Sequence, residues 1–180
     1  HLQMYLNAKD FMNDIDIVLI AHGTLPDQDE CENDVALTLD ALNTNALSTI
    51  ALLTLLSNEF KKKKNGVIAT ISSVAGDRGR QSNYIYGSAK SMVTTYTSGL
   101  RQKLRKYNVS IITILPGLID TPMTKKFKKN FIWSSPIKIC PQIIKAIDNK
   151  KSIVYLPQYW AFIMLIIRNL PEFIVGRYIK

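Results

Sequence analysis

The sequence predicts an α/β chain built on a doubly wound parallel sheet. Two observations carry that expectation: four runs rich in β-branched residues whose hydrophobicity is continuous rather than alternating, and intervening segments long enough for helices. Continuous apolar runs mark strands covered on both faces, as in a parallel sheet. Strands are expected at IDIVLIA (15–21), GVIATIS (66–72), VSIITIL (109–115) and SIVYL (152–156). Between them, Val35 to about Lys63 carries leucines and alanines at helical spacing, and Asn83 to about Lys106 continues similarly. Pro136 to about Asn149 opens on a proline where a helix tolerates one. Alternation of strand and helix implies right-handed crossovers with helices on both faces.

A chain of 180 residues buries one sizeable core and is too short for two comfortable domains, so a single domain over 1–180 is expected. Its 47% hydrophobic and 21% charged residues are those of a soluble globular protein. The net charge of +9 comes largely from lysines 61–64 and 125, 126, 128 and 129. Such runs fit attraction to nucleic acid or anionic lipid, or plain solubility; solubility is the favoured reading, and no nucleic acid partner is expected. Cys31 and Cys140 lie far apart without metal-ligand spacing, which points to a reduced, cytoplasmic chain and no metal. The opening HLQMYLNAKDFMND lacks the layout of a signal peptide and reads as a chain entered midway. The longest apolar run, WAFIMLII, is closed by Arg168 and Pro171 well short of the ~20 residues of a membrane span, so no transmembrane helix is expected.

In open parallel sheets ligands bind beyond the carboxyl ends of the strands. Those ends read AHGT, SSVAG, PGLIDTPMT and PQYW. Tyr86 and Lys90, four residues apart near the start of a helix, share one helical face. A phenol titrates near 10 by itself, and a neighbouring ammonium lowers that value toward useful acid or base duty. Ser73, at a strand end thirteen residues before Tyr86, can return across the loop and offer a hydroxyl to the same substrate oxygen.

These residues resemble the short-chain dehydrogenases/reductases, with a Rossmann-like fold, over nearly the whole chain. The resemblance implies hydride transfer between NAD or NADP and a carbonyl or secondary alcohol. It implies Tyr86 as general acid or base, Lys90 as the group that holds the nicotinamide ribose and lowers the tyrosine pKa, and Ser73 as the group that orients the carbonyl. A fourth family residue is an asparagine that interrupts the preceding helix and anchors a water linked to the lysine. LNTNALST offers Asn43 and Asn45, and Asn45, 28 residues before Ser73, fits the family spacing better. LPGLIDTPM resembles the family turn whose backbone and threonine contact the carboxamide, implying Pro116, Gly117, Ile119 and Thr121 as cofactor-binding residues beside Ala21, Gly23, Tyr86 and Lys90.

Two departures stand out. Where most members carry two asparagines, an alanine and a glycine, this chain has Ile20, Ala21, His22 and Gly23, so the usual side-chain brace is missing and His22 is its expected partial substitute. No Gly-rich turn between strand and helix is present to cradle a pyrophosphate. The chain is therefore expected to be the C-terminal portion of the full enzyme, its N-terminal βαβ half missing. The alternative is a truncated remnant acting only in oligomerisation or binding.

Other residues take blander readings. His22 is expected to be a hydrogen-bonded strand-end residue. Tyr84 points to a different helical face from Tyr86 and is read as packing. Asp77, Arg78 and Arg80 are read as solvent-facing turn residues rather than a phosphate site. Residues 122–136 correspond to the family's substrate flap, where lysines mix with Phe127, Phe131 and Trp133; an anionic head with an apolar body suits it, and so does a lysine-rich loop whose aromatics plug the core. The apolar tail 157–180 is expected to lie against a membrane surface or line a greasy pocket. With the loops GTLPDQ and SSVAGDRGRQSNYIYGSAK, it resembles the branch that reduces a keto sugar on a polyprenyl phosphate, implying a lipid-linked sugar substrate and a place at the inner face of the membrane. The family resemblance also implies a homodimer or homotetramer.

Overall fold

The computed structural model describes residues 1–178; Tyr178 is described without its side chain, and the last two residues of the expected tail lie outside. Four parallel strands form one sheet in the order β1 (Ile17–Ile20), β2 (Gly66–Ile71), β3 (Val109–Pro116), β4 (Ile153–Leu156). Among the described residues eight α-helices accompany them: α1 (Leu2–Met12), α2 (Gln28–Asn33), α3 (Val35–Leu42), α4 (Ser48–Lys63), α5 (Tyr84–Leu104), α6 (Pro136–Asp148), α7 (Tyr159–Asn169) and α8 (Glu172–Tyr178). Three strands fall inside their predicted runs, and β3 extends one residue past its run to Pro116.

Side-chain parity shows which helix covers which face. Ile20, Ile68 and Ile111 pack with Leu52, Leu53, Leu56 and Phe60 of α4 and Leu104 of α5. Their immediate neighbours Val67, Ala69, Ile112 and Ile114, with Val154 and Leu156, pack with Ile139, Ala146 and Ile147 of α6. Successive strand residues point to opposite faces, so α4 and α5 cover one side and α6 the other. Each buried leucine or phenylalanine here contributes roughly 1.5–3 kcal/mol.

This arrangement corrects one expectation. The strands follow one another in simple order, so crossovers on opposite faces have opposite hands. The β3–β4 connection through α6 therefore differs in hand from the two before it, and under the strong preference for right-handed units it is the exception. The long segment between β3 and α6 permits this, because it carries the chain over the carboxyl rim before α6 begins.

The predicted helix from Val35 to Lys63 is interrupted. Asn43–Leu47 forms a π-turn in which the Ser48 N–H donates to the Asn43 carbonyl, five residues back. The whole stretch is nevertheless continuous over 29 residues, long and apolar enough to cross a membrane. Leu52, Leu53 and Leu56 pack on the sheet, and buried Asn45, Thr49 and Ser57 are polar groups of a helix lying on a protein core.

Two helices were not foreseen. α1 buries only Tyr5 and has no side-chain cap, so little in its sequence announces it. α2 starts within the GTLPDQ loop at Asp27, whose carboxylate accepts from the N–H groups of Asp29 and Glu30. The apolar tail divides into α7 and α8 around Pro171.

Candidate active site

Ser73 follows β2 and caps a short 3₁₀ turn, Val74–Gly76, its Oγ accepting from the Ala75 N–H at 3.1 Å. That turn lies directly on the backbone of α5. A Cβ added at Gly76 would stand 2.6 Å from the Ser91 nitrogen, and one at Gly87 would stand 2.8 Å from the Ala75 carbonyl. Only glycine allows backbones this close. Ser72 adds a lock: its Oγ donates to the Lys90 carbonyl at 3.0 Å and pairs with Thr94 Oγ1 at 2.7 Å. The strand end and helix are thereby fixed against each other, and the Ser73 hydroxyl is close enough to the Tyr86 phenol to draw its pKa down.

Lys90 is 3% exposed. Its Nζ lies 5.7 Å from the centre of the Tyr86 ring and donates to the Ile71 carbonyl at 3.3 Å. Asn45, completely buried, sits inside the π-turn. Its Nδ2 donates to the Ala41 carbonyl at 3.0 Å, and its Oδ1 accepts from the Thr24 N–H at 2.9 Å. Gly23 brings these parts together, because a Cβ there would stand 2.9 Å from Asn45 Oδ1 and 3.4 Å from Lys90 Nζ. Asn43, the other candidate, is exposed. Ala21 lies one residue beyond β1, also exposed.

Burial acts on both titratable partners. It pushes the Tyr86 phenol above its ordinary range, and the Ser73 hydroxyl draws it partly back. Desolvation lowers the Lys90 ammonium from 10.5 to about 8. The lowering of the phenol expected from Lys90 is not found: burial raises it, and only the Ser73 hydroxyl draws it down. His22 is held below its usual range by burial and by the Lys90 charge.

His22 ties the end of β1 to the start of α4, with Nε2 2.8 Å from Ser48 Oγ and 3.4 Å from Thr49 Oγ1. The turn after β3 stands at the same rim without a hydrogen bond to Ser73, Tyr86 or Lys90 among the described residues. Pro116 closes β3, and the Gly117 N–H donates to the Leu156 carbonyl at 2.9 Å. A Cβ at Gly117 would run into the Trp160 indole at 2.0 Å. The Ile119 side chain is buried in the core under α6, and its carbonyl accepts from Thr124 Oγ1 at 2.8 Å. The Thr121 N–H donates to the same hydroxyl at 3.0 Å.

Several bland readings need correction. Tyr84 is exposed rather than packed, its hydroxyl donating to Glu32 Oε2 at 3.3 Å. Asp77, Arg78 and Arg80 are partly buried ties to β4 and the tail, not free turn residues. Asp77 accepts from the Tyr155 hydroxyl at 2.7 Å; Arg78 pairs with Glu172 at 2.5 Å and donates to the Arg168 carbonyl at 3.4 Å. Arg80 Nη2 lies 3.7 Å from Met164 Sδ. Partners 78 to 94 residues away leave no local pattern to read. A separate hollow of about 610 Å³ lies at the amino ends of β3 and β4 among Arg101, Arg105, Lys150 and Ser152, away from these groups.

The family model described as short chain dehydrogenase matches residues 1–131. The chain belongs to the short chain dehydrogenase family. As a family member it is 31% identical over 165 residues to an uncharacterized oxidoreductase of Mycobacterium tuberculosis, covering 91% of this chain and 66% of that protein. It is 28% identical over 156 residues to the ketoacyl reductase HetN of a Nostoc species, covering 84% of this chain and 54% of that one. The chain therefore spans two thirds or less of the length of these relatives. Its fold is that of a short chain dehydrogenase from Burkholderia cenocepacia solved in complex with NADP, with a TM-score of 0.84 at 19% identity over 100% of this chain and 75% of that one. Levodione reductase is also similar, with a TM-score of 0.78 at 19% identity over 88% and 72% of the two chains. The expectation of an α/β sheet of this family, with part of the full fold represented, stands.

Proposed function

We propose that the protein is an NAD- or NADP-dependent oxidoreductase acting on a carbonyl or secondary alcohol, with Tyr86 as the proton-exchanging group. The observation that carries this reading is the meeting of the Ser73 hydroxyl, the Tyr86 phenol and the Lys90 ammonium at the carboxyl rim of a parallel sheet. The family membership and the oxidoreductase names of relatives support it.

The residues fit a nicotinamide cofactor. At Gly23 the backbone presses so closely on Asn45 and Lys90 that no side chain is accommodated, which leaves main chain at the strand end where a flat ring and ribose approach. Lys90 and Tyr86 would hold the ribose beside Ala21 and Gly23, and Pro116, Gly117, Ile119 and Thr121 would border the carboxamide. A bound nicotinamide supplies or accepts the hydride. The NADP of the Burkholderia dehydrogenase supports this choice of cofactor class.

The chain's own part is proton handling. With its pKa raised, the Tyr86 phenol is protonated at neutral pH and donates to the substrate oxygen during reduction. The Ser73 O–H donates to the same oxygen and fixes it within reach. Lys90, charged below about 8, stabilises the phenolate left behind. Asn45 holds the helix open at the π-turn beside Gly23 and so keeps this corner in shape. In the oxidative direction each transfer reverses.

The flap supports a substrate with an apolar body and an anionic head, such as a lipid-linked sugar: Phe127 and Trp133 stack at 6.3 Å, with Lys129 4.1 Å over the Trp133 ring. Exposed Leu39, Leu47 and Met92 on and beside α3, α4 and α5 support assembly into a dimer or tetramer.

Replacing Tyr86→Phe in the complete enzyme is expected to lower turnover by about 10²- to 10⁴-fold, with the circular dichroism spectrum and melting temperature unchanged. Retained turnover overturns the assignment.

A further inference from the structure

α7 is apolar on both sides. Trp160, Ile163, Met164 and Ile167 form its inner stripe against Val74, Leu115 and Tyr155. The opposite stripe is Phe162, Leu165 and Ile166, with Phe162 67% and Leu165 60% exposed. A helix apolar all round belongs inside something, and only half of this one is inside the protein. Beyond Pro171, Phe173 of α8 is also exposed.

The flap adjoins the first turn of α7. The Tyr159 hydroxyl donates to the Ile132 carbonyl at 2.9 Å, and Ile132 packs against the inner stripe. Next to it, Phe131 is 94% exposed. The neighbouring lysines 125, 126, 128 and 129 are all exposed. Lys126 pairs with Asp27 at 3.0 Å and Lys129 with Asp120 at 3.2 Å, whereas Lys125 and Lys128 have no carboxylate partner among the described residues. Together with Arg168 these cations stand against one acid in the flap and tail segments themselves, Glu172, which Arg78 already holds.

We propose that this face, the outer stripe of α7 with Phe131 and Phe173 and the lysines of the flap, docks on an anionic lipid bilayer. Aromatics and aliphatics beside a cationic border are the composition of an interfacial membrane segment. The charge selects the occupant. A second copy would bring two lysine-rich borders face to face, which is repulsive, whereas an anionic headgroup layer complements them. The high individual exposures of Phe131, Phe162 and Phe173 describe side chains that protrude singly, as insertion between lipids requires, rather than a groove shaped for one protein.

The test is co-sedimentation of the purified protein with vesicles of phosphatidylcholine alone or mixed with phosphatidylglycerol. Binding to the mixed vesicles, weakened by salt and at least about tenfold stronger than to the neutral ones, is expected. The Phe162→Ser, Leu165→Ser pair is expected to lower partitioning at least about tenfold, and Lys125→Glu with Lys128→Glu to abolish the preference for phosphatidylglycerol. Melting temperatures verify that these surface variants fold. Failure of the wild-type protein to sediment with either vesicle overturns the proposal. So does unchanged vesicle binding by the apolar pair, and if that pair also dissociates an oligomer in light scattering, the occupant is a second copy. None of these readouts depends on turnover, so the docking face stands or falls apart from the catalytic reading.

Discussion

The corner around Ser73, Tyr86 and Lys90 and the face formed by the flap with α7 and α8 are both held to the same loop, yet by different means. The corner is fixed by backbone lying on backbone at Gly76 and Gly87, with Lys90 and Asn45 sealed beneath. β4, the flap and the tail are held by single side chains reaching across, Tyr155 of β4 to Asp77, Arg78 to Glu172 and Tyr159 to Ile132. Close backbone packing tolerates almost no substitution, because interiors are filled to crystal-like density. Side-chain ties at a partly solvated surface each contribute little and can be exchanged. Proton transfer needs the first kind of construction, and a surface that receives varied apolar bodies can use the second.

The largest contrast should come from Lys90→Met. Turnover is expected to fall at least about 10²-fold, while the folded protein becomes more stable at neutral pH. The drop of the Lys90 pKa from 10.5 to about 8 corresponds to about 3 kcal/mol of burial cost, an upper figure because the hydrogen bond to Ile71 is lost with the charge. Between pH 8 and 10.5 the folded state binds fewer protons than the unfolded one, so the wild type gains relative stability as pH rises through that window. The advantage of the variant is therefore full below about pH 8 and absent above about 10.5. Denaturant titrations at several pH values measure it, and a variant less stable than wild type at pH 7 would contradict the burial argument.

A smaller effect is expected at Gly87→Ala. The added methyl meets the Ala75 carbonyl at 2.8 Å, so the turn carrying Ser73 must move away from α5. A loss of about 1–3 kcal/mol in stability together with reduced kcat is expected. An unchanged kcat would show that the Ser73 position does not depend on this contact.

The smallest is Tyr155→Phe, which removes the hydrogen bond to Asp77 in the other region. A cost of about 1 kcal/mol is expected, with kcat affected less than in Gly87→Ala because Asp77 has no hydrogen bond to Ser73, Tyr86 or Lys90 among the described residues. A kcat loss comparable to that of Gly87→Ala would erase the distinction between the two regions.

How much of this was legible follows from the range of each interaction. Tyr86 and Lys90 share a helical face by spacing alone, and Ser73 ends a strand that its own β-branched run announces. The break at Asn43–Leu47 was legible only through the family resemblance, which implied an interrupting asparagine at Asn45; its form, a π-turn, follows from the hydrogen bonds of Asn45 to Ala41 and to Thr24, a distant partner with no local sign. α1 lacked a cap and a strong apolar stripe. Asp77, Arg78 and Arg80 resembled a solvated turn because their partners lie far along the chain. The alternate use of the two sheet faces by α5 and α6 likewise has no local sign.

The sequence by itself determined the four strands, the long helices and the shared helical face of Tyr86 and Lys90, because hydrophobic period and i, i+4 spacing are short-range properties of the chain. Only the tertiary structure decided the hand of the last crossover, the burial that raises Tyr86 and lowers Lys90, and the docking of the tail on the Ser73 loop. Those depend on which distant surfaces exclude water together, and desolvation is a property of the packed whole rather than of any segment.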